Sequence, residues 1–189
     1  MGYAPRQRIV SIEAAAAEAE VVSVADMRLH LRIDASDTSH DGFIADCEAS
    51  AVNAVEKYTQ RLLTKRTVTL SLPGLPFGRC PVELPGGRIA SVTSVTIDGE
   101  DLADVSATGD APAVLVPDAD WPAVTGEGYP VTIVYEAGYA AGEVPPLLLT
   151  AVKLWTEDLF DRPESGSDGI SMVLRRAMDL ADLYRIRPA

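Results

Sequence analysis

The sequence predicts an α+β protein: a helical core built from N- and C-terminal helices, with an antiparallel β region inserted between them. Three features predict it. Apolar residues recur every three to four positions from Thr38 to Leu63, alternate with polar ones after Leu63, and return to helical spacing from Val144. The expected organisation is an N-terminal arm at residues 1–22, a helical core made of 23–65 and 144–189, and a β insertion at 66–143. At 189 residues and 47% apolar content, the chain has enough material for a sizeable core.

Residues 1–22 begin with a basic, irregular stretch and continue through Ile9 and Val10 into the alanine/glutamate run Glu13 to Glu20. That run fits either a short helix or an extended arm, because a lone helix of this length needs a docking surface. Ser23 and Asp26 have capping-box spacing and open a short helix, Val24 to Leu31. The polar loop at 34–37 then leads to the long helix. There Ile44, Cys47, Ala51, Val55 and Tyr58 fall on one stripe at ~3.6 residues per turn. Thr38 and Asp41 look like a second capping box. Asp41, Asp46 and Glu48 precede Lys57 and Arg61, the charge order that a helix dipole favours. A helix from Ser39 to Gln60 would run ~33 Å at ~1.5 Å per residue.

After Leu63, Val68, Leu70 and Leu72 alternate with Thr67, Thr69 and Ser71, as in a strand buried on one face. Pro73-Gly74 and Pro76-Phe77-Gly78 interrupt the pattern, and Pro81 to Leu84 is a second strand candidate. Ile89 to Ile97 is rich in β-branched residues and ends in the tight-turn pair Asp98-Gly99. Its odd step from Val92 to Val95 predicts a bulge. Ala113 to Val116 and Val131 to Tyr135 complete five or six short strands across 66–137.

Val144-Pro145-Pro146 restarts helix, since a proline in the first turn lacks only an N–H that would be unpaired anyway. This helix should reach about Asp161. Lys153, Glu157 and Asp161 form a narrow polar stripe, whereas Leu147, Leu148, Val152, Leu154, Trp155, Leu159 and Phe160 cover most of the circumference. So wide an apolar arc means either a central helix or one partly buried by another subunit. Leu147, Leu154, Trp155 and Phe160 are therefore the subunit-interface candidates. A polar loop, 162–169, precedes a last helix, about Ser171 to Tyr184, with Leu174, Ala177, Ala181 and Tyr184 on one stripe and Arg185 and Arg187 at its end.

Chemistry is sparse. The sequence has no GxSxG, Gly-rich phosphate loop, HExxH or EF-hand spacing, and no catalytic residue, cofactor or metal is expected. Asp34, Asp37 and Asp41 read as caps and turn residues rather than cation ligands. Cys47 and Cys80 lack metal-ligand spacing and read as reduced thiols. Trp121 and Trp155 read as packing residues. With 16 basic and 28 acidic residues, the formal charge of −12 argues against a protein that grips nucleic acid through its phosphates. Neither a signal-peptide pattern nor an apolar run of about 20 residues is present, so a protein cytoplasmic at synthesis and independent of membranes is expected.

Several segments, taken in order, carry a family resemblance: Ser23-Val-Ala-Asp-Met-Arg-Leu-His-Leu-Arg-Ile-Asp34, Asp41-Gly-Phe-Ile44 and Glu56-Lys-Tyr-Thr-Gln-Arg61, then Val144-Pro-Pro with Ala151, Phe160-Asp-Arg162 and Leu183-Tyr-Arg185. The chain resembles the head–tail connector (adaptor) proteins of long-tailed bacteriophages and phage-derived gene transfer agents. Two positions depart from the pattern. Gln60 stands where a helix-ending glycine is common, and Leu149-Thr150 replaces a more usual basic position.

The resemblance implies a non-enzymatic structural virion protein. It would form a homo-oligomeric ring, usually dodecameric, that binds the portal protein on one side and a stopper or tail protein on the other. The ring would extend the channel through which DNA passes without specific binding. Such a protein is assembled into the virion, or a phage-like particle, at the head–tail junction. The C-terminal segment, Met172 to Ala189, is expected to be the portal-attachment element rather than part of the core. Leu174, Leu180, Leu183 and Tyr184 would give apolar contact, and Arg175, Arg176, Arg185 and Arg187 would give charge on an otherwise acidic chain. Two competing readings are a β-rich binding module for a carbohydrate or protein ligand and an acid-catalysed hydrolase. The missing signal peptide counts against the first, and no residue pair is selected for the second.

Overall fold

The structure, a computed structural model, describes residues 8–13, 20–103, 105–110, 112–162 and 170–187. It is α+β, with four helices and antiparallel strands among the described residues. The chain divides into two units. One takes its described residues from 8–13, 64–140 and 186–187, and the other from 20–63 and 141–185.

In the helical unit, α1 (Val24–His30) is capped as its sequence predicts: the Ser23 hydroxyl accepts from the Asp26 N–H at 3.1 Å. Helix α2 (Asp41–Thr59) buries Ile44, Cys47, Ala51 and Val55. The fifth buried position is Thr59, whose hydroxyl donates to the Val55 carbonyl at 2.7 Å, whereas Tyr58 is only half-buried. The Thr38/Asp41 capping box does not form. His40 occupies the N-cap without a side-chain bond, and the preceding loop is shaped by two Asx turns. In these turns Asp34 accepts from the Ser36 N–H at 2.9 Å and Asp37 from the Ser39 N–H at 3.0 Å. The adjacent serine hydroxyls and these N–H groups hold both carboxyls below the usual range.

Glu48, on α2, accepts from the Val22 N–H at 3.2 Å and so fixes the chain entering α1. Partial burial nevertheless outweighs the hydrogen bonds and pushes its carboxyl up. Gln60 ends α2 in the left-handed region (φ 59°, ψ 30°), a conformation that glycine takes without strain. Its own amide donates to the Lys57 carbonyl at 2.7 Å. Helix α3 (Pro146–Asp161) starts on Pro145-Pro146 and packs on α2. Helix α4 (Met172–Asp182) packs on both α3 and α2.

In the β unit, β1 (Ile9–Ile12), β2 (Arg66–Leu72), β4 (Ile89–Ile97), β5 (Glu100–Asp101) and β8 (Val131–Ala137) form one sheet in the order β1-β2-β8-β4-β5. The strands β3 (Val82–Leu84), β6 (Val105–Thr108) and β7 (Ala113–Pro117) form a second, in the order β3-β7-β6. All pairings are antiparallel. The described residues of 66–137 thus hold seven strands rather than five or six. The two unpredicted ones, β5 and β6, are short: β5 is two exposed acidic residues, and β6 alternates half-buried Val105 and Ala107 with exposed Ser106 and Thr108 over only four positions. The bulge expected in β4 is present as a register shift between Val92 and Ser94, with another between Ile89 and Ser91. Core residues alternate as period two requires: Val68, Leu70 and Leu72 in β2 face the same layer as Val131, Ile133 and Tyr135 in β8. The phenol of the buried Tyr135 is satisfied by donating to the Pro85 carbonyl at 2.9 Å.

Hydrogen bonds to or from the backbone pin the long loops. Trp121, buried as expected, donates its indole N–H to the Cys80 carbonyl at 2.8 Å and its backbone N–H to Gly78 at 3.0 Å. Asp98, in the β4–β5 turn, accepts from the N–H groups of Thr125 and Gly126, both at 2.8 Å. Of the alanine/glutamate run, 14–19 lie outside the described residues, as do 163–169 of the loop after α3.

Candidate assembly surfaces

The C-terminal helix was expected to stand apart from the core, and the structure corrects this. Ala177 and Ala181 are fully buried, and their small side chains let α4 approach α2 and α3 closely. Polar contacts tie down both ends of the helix. At the start, the Ser171 hydroxyl accepts from the Leu174 N–H at 2.8 Å and itself donates to Asp158 of α3. At the end, Tyr58 donates to Asp182 at 3.3 Å, and the buried Arg61 donates its Nε–H to the Tyr184 carbonyl at 2.6 Å. The Arg185 guanidinium lies 5.0 Å from the centre of the Tyr58 ring and 3.8 Å from Asp182.

The residues singled out for partner contact therefore separate into two sets. Leu174, Leu180 and Tyr184 are half-buried within the helical unit, and Arg185 is engaged with Tyr58 and Asp182. Arg175, Arg176, Leu183 and Arg187 are exposed. Leu183 is 72% exposed and Met172, at the other end of the helix, 82%. These apolar side chains remain in solvent because α4 spends its small residues, not its large ones, on the intramolecular contact.

On α3 the fully buried positions are Leu148, Ala151, Val152 and Thr156, with Asp158 only 7% exposed. Of the interface candidates, Leu147 is exposed, while Leu154, Trp155 and Phe160 are half-buried. Trp155, read from sequence as a packing residue, is thus only partly enclosed. Phe160 joins an aromatic group on the α2 side, with ring centres 5.9 Å from His40 and 5.5 Å from the exposed Phe43. His30 and Glu157 lie 2.9 Å apart and connect the end of α1 to α3.

Asp158 is the residue that sequence reading missed. It is the buried acceptor for both Arg162 and Ser171, joining the end of α3 to the cap of α4. Its only sequence signal is the spacing of four to Arg162, which is common among exposed helix pairs as well.

No protein-family profile matches the chain, and no curated protein matches it in sequence. Its fold is shared with chains of gene transfer agent (GTA) particles. A chain in a neck of an empty GTA particle, computed with C6 symmetry, superposes with TM-score 0.80 at 22% identity, covering 96% of this chain and 97% of that one. A chain from the virion of a native GTA particle superposes with TM-score 0.75 at 21% identity and the same coverage. A third, in the neck of a native GTA particle computed with C12 symmetry, gives 0.74 at 22% identity, again over 96% and 97% of the two chains.

Proposed function

We propose that this protein is a structural subunit of a phage-like particle: an adaptor that forms a ring in the neck, between portal and tail, and extends the DNA channel. The observation that carries this reading is the sharing of one fold, over 96% of the chain, with chains from GTA necks. Neck structures computed with C6 and C12 symmetry favour a cyclic assembly, with twelve copies the natural number. A formal charge of −12 per chain suits a conduit, because a ring of such subunits repels phosphate and lets DNA slide.

Portal attachment falls to the outer face of α4 and its C-cap, through Arg175, Arg176 and Leu183, and a stopper or tail protein occupies the opposite side of the ring. Apolar groups buried at the centre of such a contact would supply most of the affinity, while the basic groups steer the encounter. Electron microscopy of the protein mixed with its cognate portal tests the reading. Rings stacked on portals are expected; a protein that neither forms rings nor joins portals, alone or in particles, would refute it. The same protein should show no submicromolar binding to duplex DNA at physiological salt.

A further inference from the structure

The larger sheet ends at β1, an edge strand. Strand β1 bonds to β2 on one side only, and among the described residues no strand lies on the other. The direction of its backbone groups follows from register. The Glu13 N–H donates to the Thr67 carbonyl at 3.0 Å, which makes Glu13/Thr67 a hydrogen-bonded pair. In an antiparallel ladder such pairs alternate, so Ser11/Thr69 and Ile9/Ser71 are of the same kind. Val10 and Ile12, opposite Leu70 and Val68, are the intervening pairs. Their N–H and C=O groups point away from β2, along the open edge.

Side chains agree with this. Val10 and Ile12 stand on the face that carries the fully buried Leu70 and Val68, yet Ile12 is 45% exposed; Ile9, on the other face, is 51% exposed. The core layer stops one strand short. Soluble proteins blunt free edges with lysine, proline or bulges. Ile9-Val-Ser-Ile12 contains none of these, whereas β4, near the other edge, carries two register shifts.

We infer that the open edge of β1 receives a strand from a neighbouring copy of this chain. The inference rests on the ring reading above. A cyclic assembly places identical chains side by side and requires two unlike, complementary surfaces on each. The sheet offers two unlike edges, β1 and β5. Added strand pairing satisfies the outward groups of Val10 and Ile12 and covers their side chains, the recognition mode in which main-chain bonds give affinity.

Residue-resolved hydrogen exchange, measured on the full chain as free subunit and as assembled ring, tests this directly. The Val10 and Ile12 amides should exchange at least ~10-fold more slowly in the ring. Val10→Pro removes an outward donor without touching the β1–β2 ladder, a placement that proline tolerates at an edge. It should fold with an unchanged melting temperature and fail to form rings. Ser11→Pro, which breaks the β1–β2 ladder itself, should instead loosen β1 within the subunit. If the wild type assembles while Val10→Pro assembles equally well and both amides still exchange freely, the edge inference is wrong and the ring reading stands. If neither protein forms rings, alone or in particles, both fall. Protection that appears only when a different protein is added overturns the choice of a second copy as the occupant.

Discussion

Gly138 faces the carbonyl of Thr64 so closely that a Cβ on it would lie 2.1 Å from that oxygen. Its φ of +109° is also closed to ordinary side chains, and its N–H donates to the Arg88 carbonyl at 2.9 Å. The contact sits where β8 ends beside the start of β2, so the two strands can close together only if this position lacks a side chain. Gly138→Ala must shift backbone rather than a flexible side-chain tip. It is expected to destabilise the protein by ~3 kcal/mol or more, read as a fall in the denaturant midpoint. A fall below ~0.5 kcal/mol would mean that the strand ends separate without cost.

At the β4–β5 turn, hydrogen bonds from the backbone N–H groups of Thr125 and Gly126 and from the Thr125 hydroxyl hold the Asp98 carboxyl below its usual range. The sign follows from linkage. A depressed folded-state value contributes stability that is present above the ordinary carboxylate value and lost as pH falls through the lower, folded value. Asp98 itself adopts a left-handed conformation (φ 54°), which asparagine tolerates well. Asp98→Asn should therefore keep the turn but lose charge-assisted acceptance. The wild type should be the more stable at pH 7, with the difference closing below about pH 3.8, the unperturbed value. Thermal melts of both proteins across pH 2–7 check this. A difference that stays constant through the acid range would show that the ionised form is not what the loop selects.

Gln60 offers a gain of stability. A non-glycine residue in the left-handed region costs roughly 1 kcal/mol, partly offset here by its bond to Lys57. Gln60→Gly should raise stability by ~0.5 kcal/mol with an unchanged denaturant slope. A loss of stability would mean that the side-chain bond outweighs the strain.

How much of this was legible in sequence depended on whether one periodicity controlled one residue. The stripe Ile44, Cys47, Ala51 and Val55, the Ser23 cap, the alternation in β2 and β8 and the bulge in β4 were all readable, because each reports a local rule that the fold obeys. Thr38 failed as a cap because Asx turns at Asp34 and Asp37 took the same loop by a different local bond. Strands β5 and β6 escaped because two exposed residues carry no alternation and the four of β6, with only Val105 and Ala107 turned inward, are too few and too weakly apolar to register as a period. The docking of α4 escaped for a third reason. Its buried face is two alanines, Ala177 and Ala181, whose value lies in permitting close approach and does not appear in hydrophobicity. Asp158 was hidden because burial of a carboxylate is a property of its surroundings, supplied by Arg162 and Ser171.

The position of α4 changes what a truncation can reveal. Removing residues 172–189 would expose the surfaces that Ala177 and Ala181 cover. It would also leave the buried Arg61 without the Tyr184 carbonyl, so the shortened chain is expected to lose stability regardless of any partner. Surface substitutions separate the two roles. Leu183 is 72% exposed, and Arg175 and Arg176 point to solvent. Leu183→Asp, alone or with Arg176→Glu, should therefore change stability by no more than ~0.5 kcal/mol. If the outer face of α4 binds the portal, the same variants should join portal-bearing heads at least ~10-fold less well, since an apolar anchor is lost and the steering charge reversed. Head-joining measured by electron microscopy, beside a thermal melt of each variant, distinguishes the outcomes. Normal joining by a stable Leu183→Asp, Arg176→Glu protein would exclude this face. The contact would then have to be sought on α3, where Leu147 is exposed and Trp155 and Phe160 are only half-buried.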